Sequence, residues 1–115
     1  MISPCIFCKI IANRQSTGIV YQDELVTAIN DLFPRAPVHI LVIPNRHIES
    51  VNQLTVDDQA LVGYLILAAQ KLAAKEGLAE NGYRLVINTG AHAGQSVHHL
   101  HLHLLGGKPM PMMGG

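Results

Sequence analysis

His99-Leu100-His101-Leu102-His103-Leu104 places three imidazoles at two-residue spacing, with a leucine in every gap. Along an extended chain, successive side chains point to opposite faces. His99, His101 and His103 therefore share one face, and Leu100, Leu102 and Leu104 share the other. A helix would scatter the same histidines around its circumference. The leucines have a core to enter and the histidines a surface to line, which argues against a tag-like tract. Neutral imidazole is a nucleophile, a base and a metal ligand, with a pKa close to neutrality. The stretch reads as a strand over residues 97–105 that carries a site.

The remaining composition bounds what that site serves. A chain of 115 residues, 49% of them hydrophobic, suits one domain with a real core. Lys+Arg and Asp+Glu number 8 each, so there is no electrostatic footprint for nucleic acid or a membrane surface. No basic segment followed by an apolar run opens the chain, so no signal peptide is expected. The apolar run of residues 60–74 is interrupted by Gly63, Gln70 and Lys71 and is too short for a membrane span. Two cysteines three positions apart point to thiols in a reducing compartment, and a cytoplasmic protein is expected.

Outward from the histidine strand, Gly106-Gly107 ends it and residues 89–94 form a glycine-punctuated loop before it. Residues 83–88 read as a strand after the Asn81-Gly82 turn. Residues 55–77 read as the long helix, with Thr55 as N-cap, Asp58 closing a capping box, and Gly77 as the C-terminal stop. Leu61, Leu65, Ala68 and Leu72 recur at helical spacing, and Val62, Ile66, Ala69 and Ala73 broaden the stripe. Such a helix is either wholly buried or has a second face against another subunit. Residues 38–43 form a buried strand stopped by Pro44, preceded by a hairpin of Ile19–Gln22 and residues 25–30. Residues 5–13 form a short helix after Pro4. The expected fold is α+β: an antiparallel sheet of about five strands with one long helix and a short N-terminal helix. The domain covers residues 1–115, with residues 108–115 as an extended C-terminal tail. No G-x-G-x-x-G follows a strand and no Walker sequence occurs, so no organic cofactor is expected.

A histidine nucleophile suits phosphorus, because the phosphoramidate it forms can be hydrolysed in a second step. Gly94-Gln95-Ser96 lies just upstream of the triad, where glycine allows close backbone approach and Gln95 and Ser96 can offer donors to a phosphate. Cys5 and Cys8 form C-x₂-C without a second pair, so cysteine alone cannot complete a tetrahedral zinc site, although two histidines can. Incidental core thiols remain a second reading. A redox pair, the third, needs a βαβ unit that the chain lacks.

The stretch from Gly94 to Gly107, GQSVHHLHLHLLGG, resembles the signature of the histidine triad family in its nucleotide-binding branch. The likeness extends through Cys5-Ile6-Phe7-Cys8, the segment of residues 36–44 and Asn88, and so covers nearly the whole chain. It implies a hydrolase of purine nucleoside 5′-phosphoramidates and adenylated amines that forms a nucleotidyl-histidine and releases AMP or GMP. By this resemblance His101 is the nucleophile, with its other ring nitrogen held by a backbone carbonyl. His103 binds a phosphoryl oxygen, and Ser96 and Gln95 contact the phosphate or leaving group beside Gly94. Asp31 holds ribose hydroxyls, Ile29 and Leu32 flank the purine, Asn88 helps place the phosphate, and His39 lines the site. His99 belongs to the catalytic triad, and with Cys5, Cys8 and His47 it is implied to hold a structural zinc. A homodimer with a continuous sheet is also implied. The tail departs from the family in lacking a tryptophan. A dinucleoside polyphosphate hydrolase and a non-catalytic, zinc-stabilised nucleotide-binding module are the alternatives.

Overall fold

The computed structural model describes residues 5–112. Five strands make one sheet in the order β1-β2-β3-β5-β4, with every neighbouring pair antiparallel. They are β1 (Ile19–Gln22), β2 (Val26–Asn30), β3 (Val38–Pro44), β4 (Tyr83–Val86) and β5 (Leu102–Gly106). Helix α1 (Ile6–Ala12) opens the chain and helix α2 (Gln59–Lys75) connects β3 to β4. The expected α+β architecture is present, with α1 inside the expected residues 5–13 and α2 inside the expected residues 55–77.

Helix α2 is fixed at both ends by local chemistry. The Thr55 backbone N–H donates to Asp58 Oδ2 at 2.9 Å and the Asp57 N–H donates to Thr55 Oγ1 at 3.3 Å. This reciprocal cap starts a 3₁₀ turn at Val56–Asp58 that runs into α2. At the other end Gly77 takes φ +76°, and the N–H groups of Leu78 and Gly77 return to the carbonyls of Ala73 and Ala74 at 2.9 and 3.1 Å. That is a Schellman closure, for which a residue without Cβ is favoured.

The helix lays Leu65, Ala68, Ala69, Leu72 and Ala73 on one face of the sheet, against Val26, Ala28, Ile40, Val42, Leu102 and Leu104. Removing the leucine, isoleucine and valine side chains among these from water stabilises the fold by about 1.5–3 kcal/mol each. Ala69 and Ala73 thus belong to the core. Ile66 and Leu67, by contrast, are 40% and 53% exposed, so the helix is not wholly buried. On the other face of the sheet, α1 packs Phe7 against Ile29, Leu41 and Ile43.

The triad strand begins later than the sequence suggests. Regular pairing starts at Leu102, not at residue 97, and runs opposite Val42 back to Val38. Pro44 has no N–H to continue the ladder, and its carbonyl accepts from His99 Nε2 at 2.8 Å. The Leu100 N–H turns instead to the Ile48 carbonyl at 2.6 Å. The alternation survives this bend. Leu100, Leu102 and Leu104 enter the α2-side core, while His99 and His101 are buried toward Phe7. Strand β4 likewise stops at Val86, because its partner β5 has begun only at Leu102 and Val86 already faces His103. Strand β2 starts at Val26, since the Leu25 and Val26 N–H groups are both held by Asp23 Oδ1 in the preceding turn. The residues after Gly107 have no regular structure up to Met112, and Arg84 Nη2 donates to the Pro111 carbonyl at 2.7 Å. Pro4 and residues 113–115 of the expected tail lie outside the described residues.

Candidate functional site

A cleft of about 650 Å³ opens on the α1 side of the sheet. Its floor is Ile29 from β2, His39 and Leu41 from β3, and His101 and His103 from the last strand and its approach. Ile6, Phe7 and Ile10 of α1 form one wall, the turn of residues 31–35 forms the rim, and Asn88, Gly94 and Ser96 complete the opposite wall.

Partners fix the protonation pattern at its floor. His101 Nδ1 lies 2.7 Å from the His99 carbonyl, which can only accept, so Nδ1 carries a proton, and the lone pair of the neutral ring is on Nε2. Phe7 packs edge-on against the same ring at a centroid distance of 5.1 Å. Next to it, the Arg35 backbone N–H donates to His39 Nδ1 at 3.1 Å, which leaves the His39 proton on Nε2. That proton faces His103 Nδ1 at 2.9 Å and Asp31 Oδ2 at 3.4 Å. His103 therefore accepts on Nδ1 and carries its own proton on Nε2. Burial, followed by the neighbouring His101 and His39, pushes the His103 pKa down to about 4. Burial also lowers that of His39, against the opposing pull of Asp31. Both rings are neutral at physiological pH, and His103 is a neutral donor.

Most residues expected at the site meet in this cleft: Ile29, Asp31, Leu32, His39, Asn88, Gly94, Ser96, His101 and His103 all line it. Gln95 does not. Its Oε1 accepts from the Gly90 N–H at 2.9 Å, and its Nε2 donates to the carbonyls of Glu49 and Val97 at 2.7 and 3.1 Å. The buried amide thus holds the loop in shape and turns no donor to a ligand. Gly94 takes φ +76° after the turn Ala91–Ala93, and the Ala93 carbonyl accepts from Asn88 Nδ2 at 2.9 Å. Leu32 stands at the rim, 88% exposed. Phe7, Ile10, Leu41, Phe33 and Arg35 also line the cleft and were not anticipated. Phe7 lies between the two cysteines, so the C-x₂-C segment itself carries a cleft wall.

Behind that wall Cys5, Cys8, His47 and His99 place one ligand atom each within 4.8 Å of the others. His99 Nδ1 is 3.3 Å from Cys5 Sγ, 3.6 Å from Cys8 Sγ and 3.1 Å from His47 Nδ1, and Cys8 Sγ is 3.3 Å from His47 Nδ1. A tetrahedral ion bound to two thiolates and two imidazoles has edges of about 3.3–3.8 Å. The donor set fits. His99 Nε2–H donates to the Pro44 carbonyl, leaving Nδ1 as the ligating atom, as an outer partner should. Asp31, His39 and His103 form a second close group. There His39 points a proton inward rather than a lone pair, so the group is a hydrogen-bonded relay.

Among the described residues no helix is long and apolar enough to cross a membrane. The HIT domain family model matches residues 12–110. The purine nucleoside phosphoramidase of Escherichia coli is 50% identical over 114 residues, covering 98% of this chain and 96% of that protein. The crystal structure of a HIT family hydrolase from Legionella pneumophila superposes with a TM-score of 0.92 at 44% identity, covering 96% of this chain and 99% of that one. A histidine triad protein from Clostridium difficile gives 0.91 at 38% identity, covering 98% and 99%. With its imidazole-floored cleft and this extent of similarity, the chain belongs to the HIT domain family.

Proposed function

We propose that this protein hydrolyses the P–N bond of purine nucleoside 5′-phosphoramidates. The observation that carries this reading is His101: Nδ1 is tied to a carbonyl, which leaves Nε2 as the nitrogen free to attack, and the ring lies in the cleft beside a neutral donor. Its Nε2 attacks the α-phosphorus, the P–N bond breaks, and the amine leaves with the electron pair and takes a proton from water. Water then attacks the phosphorus and the P–Nε2 bond breaks, its electron pair returning to His101. The attacking water's proton goes to the hydroxide left when the amine was protonated, and AMP or GMP is released. His103 Nε2–H and the Ser96 hydroxyl hold the phosphoryl oxygens as negative charge builds, with backbone approach allowed at Gly94. Asn88 places the phosphate from the opposite wall. Asp31 and His39 stand at the ribose edge, and the purine lies between Ile29 and Leu32, against the Phe7 wall. His99 supplies the carbonyl that fixes the nucleophile.

Zinc is proposed for the Cys5, Cys8, His47 and His99 centre. Four protein ligands leave no open position, so bound zinc would supply cross-linking rather than hydrolytic chemistry. The chain is proposed to work as a single domain over residues 1–115 in the cytoplasm and to form a homodimer. The exposed Ile66 on α2 and the edge position of β4 support the dimer, and light scattering at twice the chain mass is the expected result.

The test is to incubate the purified protein with adenosine 5′-phosphoramidate and with diadenosine tetraphosphate, quenching early for intact-mass analysis. Faster AMP release from the phosphoramidate and a nucleotidyl adduct on the peptide that contains His101 are expected. Preferential cleavage of the tetraphosphate would replace this reading with a polyphosphate hydrolase. Tight AMP binding without turnover would replace it with a binding module.

A further inference from the structure

The cleft contains one charged group whose chemistry the reaction above does not use. Among the described residues that line it, Arg35 is the only Lys or Arg and Asp31 the only carboxylate. Their side chains do not pair. Asp31 Oδ2 turns inward to His39, and its Oδ1 accepts the Phe33 N–H at 2.8 Å. The Arg35 backbone is fixed by its bond to His39 Nδ1, which anchors the base of the side chain next to the His39–His103 relay. Its side chain is exposed on the rim, in the same turn as Leu32 and Phe33, which are 88% and 84% exposed. Arg35 thus brings a cation to an exposed rim that it shares with Leu32 and Phe33, near the neutral His39 and His103.

The reacting phosphoryl group already has neutral donors below it in His103 and Ser96. A permanent cation at the rim of the same cleft is suited to a further anion, because guanidinium matches carboxylate and phosphate with paired N–H groups. The apolar rim strengthens such a pair by excluding water once a substrate covers it. Consistent with this placement, the Arg35 charge contributes to disfavouring protonation of both His39 and His103.

We propose that Arg35 makes the cleft select nucleotides that carry a second anionic group, besides the reacting phosphoryl. Two sources share that chemistry: a carboxylate on the leaving amine, or a phosphate on the ribose hydroxyls. The leaving-group arm rests on the phosphoramidase reading, whereas the ribose arm is a binding measurement and does not.

The kinetic arm compares adenosine 5′-phosphoramidates of β-alanine and n-propylamine, which differ chiefly in the carboxylate. The binding arm compares adenosine 3′,5′-bisphosphate with AMP by calorimetry. In at least one arm the doubly anionic member should be favoured about tenfold, the effect of one charge-assisted hydrogen bond. That ratio should fall to about one in Arg35→Gln, recover in part in Arg35→Lys, and shrink with added NaCl. The arm that carries the ratio identifies the source. Ratios near one in both arms for the unaltered protein would overturn the proposal. So would a ratio that persists in Arg35→Gln, including the case where that variant weakens both members of a pair equally, since Arg35 would then serve the reacting phosphoryl itself. Absence of turnover with a bisphosphate preference intact would overturn the phosphoramidase reading alone.

Discussion

At the scale of single residues, one backbone amide sets the proton order of two rings. Because the Arg35 N–H must donate, His39 Nδ1 must accept, and the proton order through Nε2 to His103 follows. In a ¹⁵N-resolved NMR titration, His103 should therefore appear as the Nε2–H tautomer and stay neutral to about pH 4. The sign for stability follows from linkage. As pH falls from the ordinary histidine range toward about 4, the unfolded chain takes up a proton that the folded ring refuses, so this contribution to stability is lost toward acid and complete at neutral pH. A His103 found as the Nδ1–H tautomer would disprove the relay, and titration near its ordinary value would mean that the ring is solvated. His101 gives a second prediction. His101→Ala should lower turnover of adenosine 5′-phosphoramidate by at least about 1,000-fold while AMP affinity changes by less than about threefold, since the ring supplies the nucleophile and little binding surface. Surviving turnover would remove His101 from that role. The triad was legible in the sequence because period-two spacing states which side chains share a face. Gln95 was misread because a tripeptide says nothing of side-chain direction, and its amide is claimed by three backbone groups from outside that tripeptide.

At the scale of elements, the chain announces the ends that are set locally and conceals those set by a partner. Thr55, Asp58 and Gly77 determine the limits of α2 through bonds within a few residues, so they could be read directly. The start of β5 depends on Pro44 and Ile48, some fifty residues earlier, and no local signal at residues 97–101 reports it. Its end is a different case. Gly106 closes β5 opposite Val38 and Tyr83, and a Cβ there would meet Leu78 Cδ1 at 2.8 Å. Leu78 is itself buried, just beyond the closure of α2, and has little room to move aside. Gly106→Ala should therefore destabilise by about 1–3 kcal/mol through overpacking, read as a lower urea midpoint with unchanged slope. The next residue, Gly107, has φ +101° and lies against Pro37, so the pair of glycines answers both a close approach and a backbone turn. An unchanged midpoint for Gly106→Ala would mean that Leu78 can repack. The sequence signalled the strand end here, while the contact that demands it came from another element.

At the scale of the whole molecule, the Cys5, Cys8, His47 and His99 group brings together parts of the chain that lie far apart in sequence. Cys5 and Cys8 begin α1, His47 follows β3, and His99 precedes β5, with His99 standing 94 positions after Cys5. Helix α1 has seven residues, too few to be stable alone, and it packs through Phe7. Phe7 lies between the two cysteines and touches both His99 and His101, at ring-centroid distances of 5.9 and 5.1 Å. Loss of a bound ion should therefore act in two places. It should lower global stability, because an ion that binds only the folded ligand set contributes its binding free energy to folding. It should also loosen the α1 wall of the cleft and so weaken nucleotide binding more than the chemical step. The double substitution Cys5→Ser with Cys8→Ser should eliminate stoichiometric zinc by elemental analysis and lower the melting temperature by about 5 °C or more. It should raise KM several-fold more than it lowers kcat. A protein purified with zinc should lose the same stability on chelation and regain it on titration with the ion, whereas the double variant should respond to neither. An unaltered protein that binds no zinc, with the same melting temperature as the double variant, would show that these thiols are ordinary packing groups and that α1 holds its wall by Phe7 and its apolar neighbours alone.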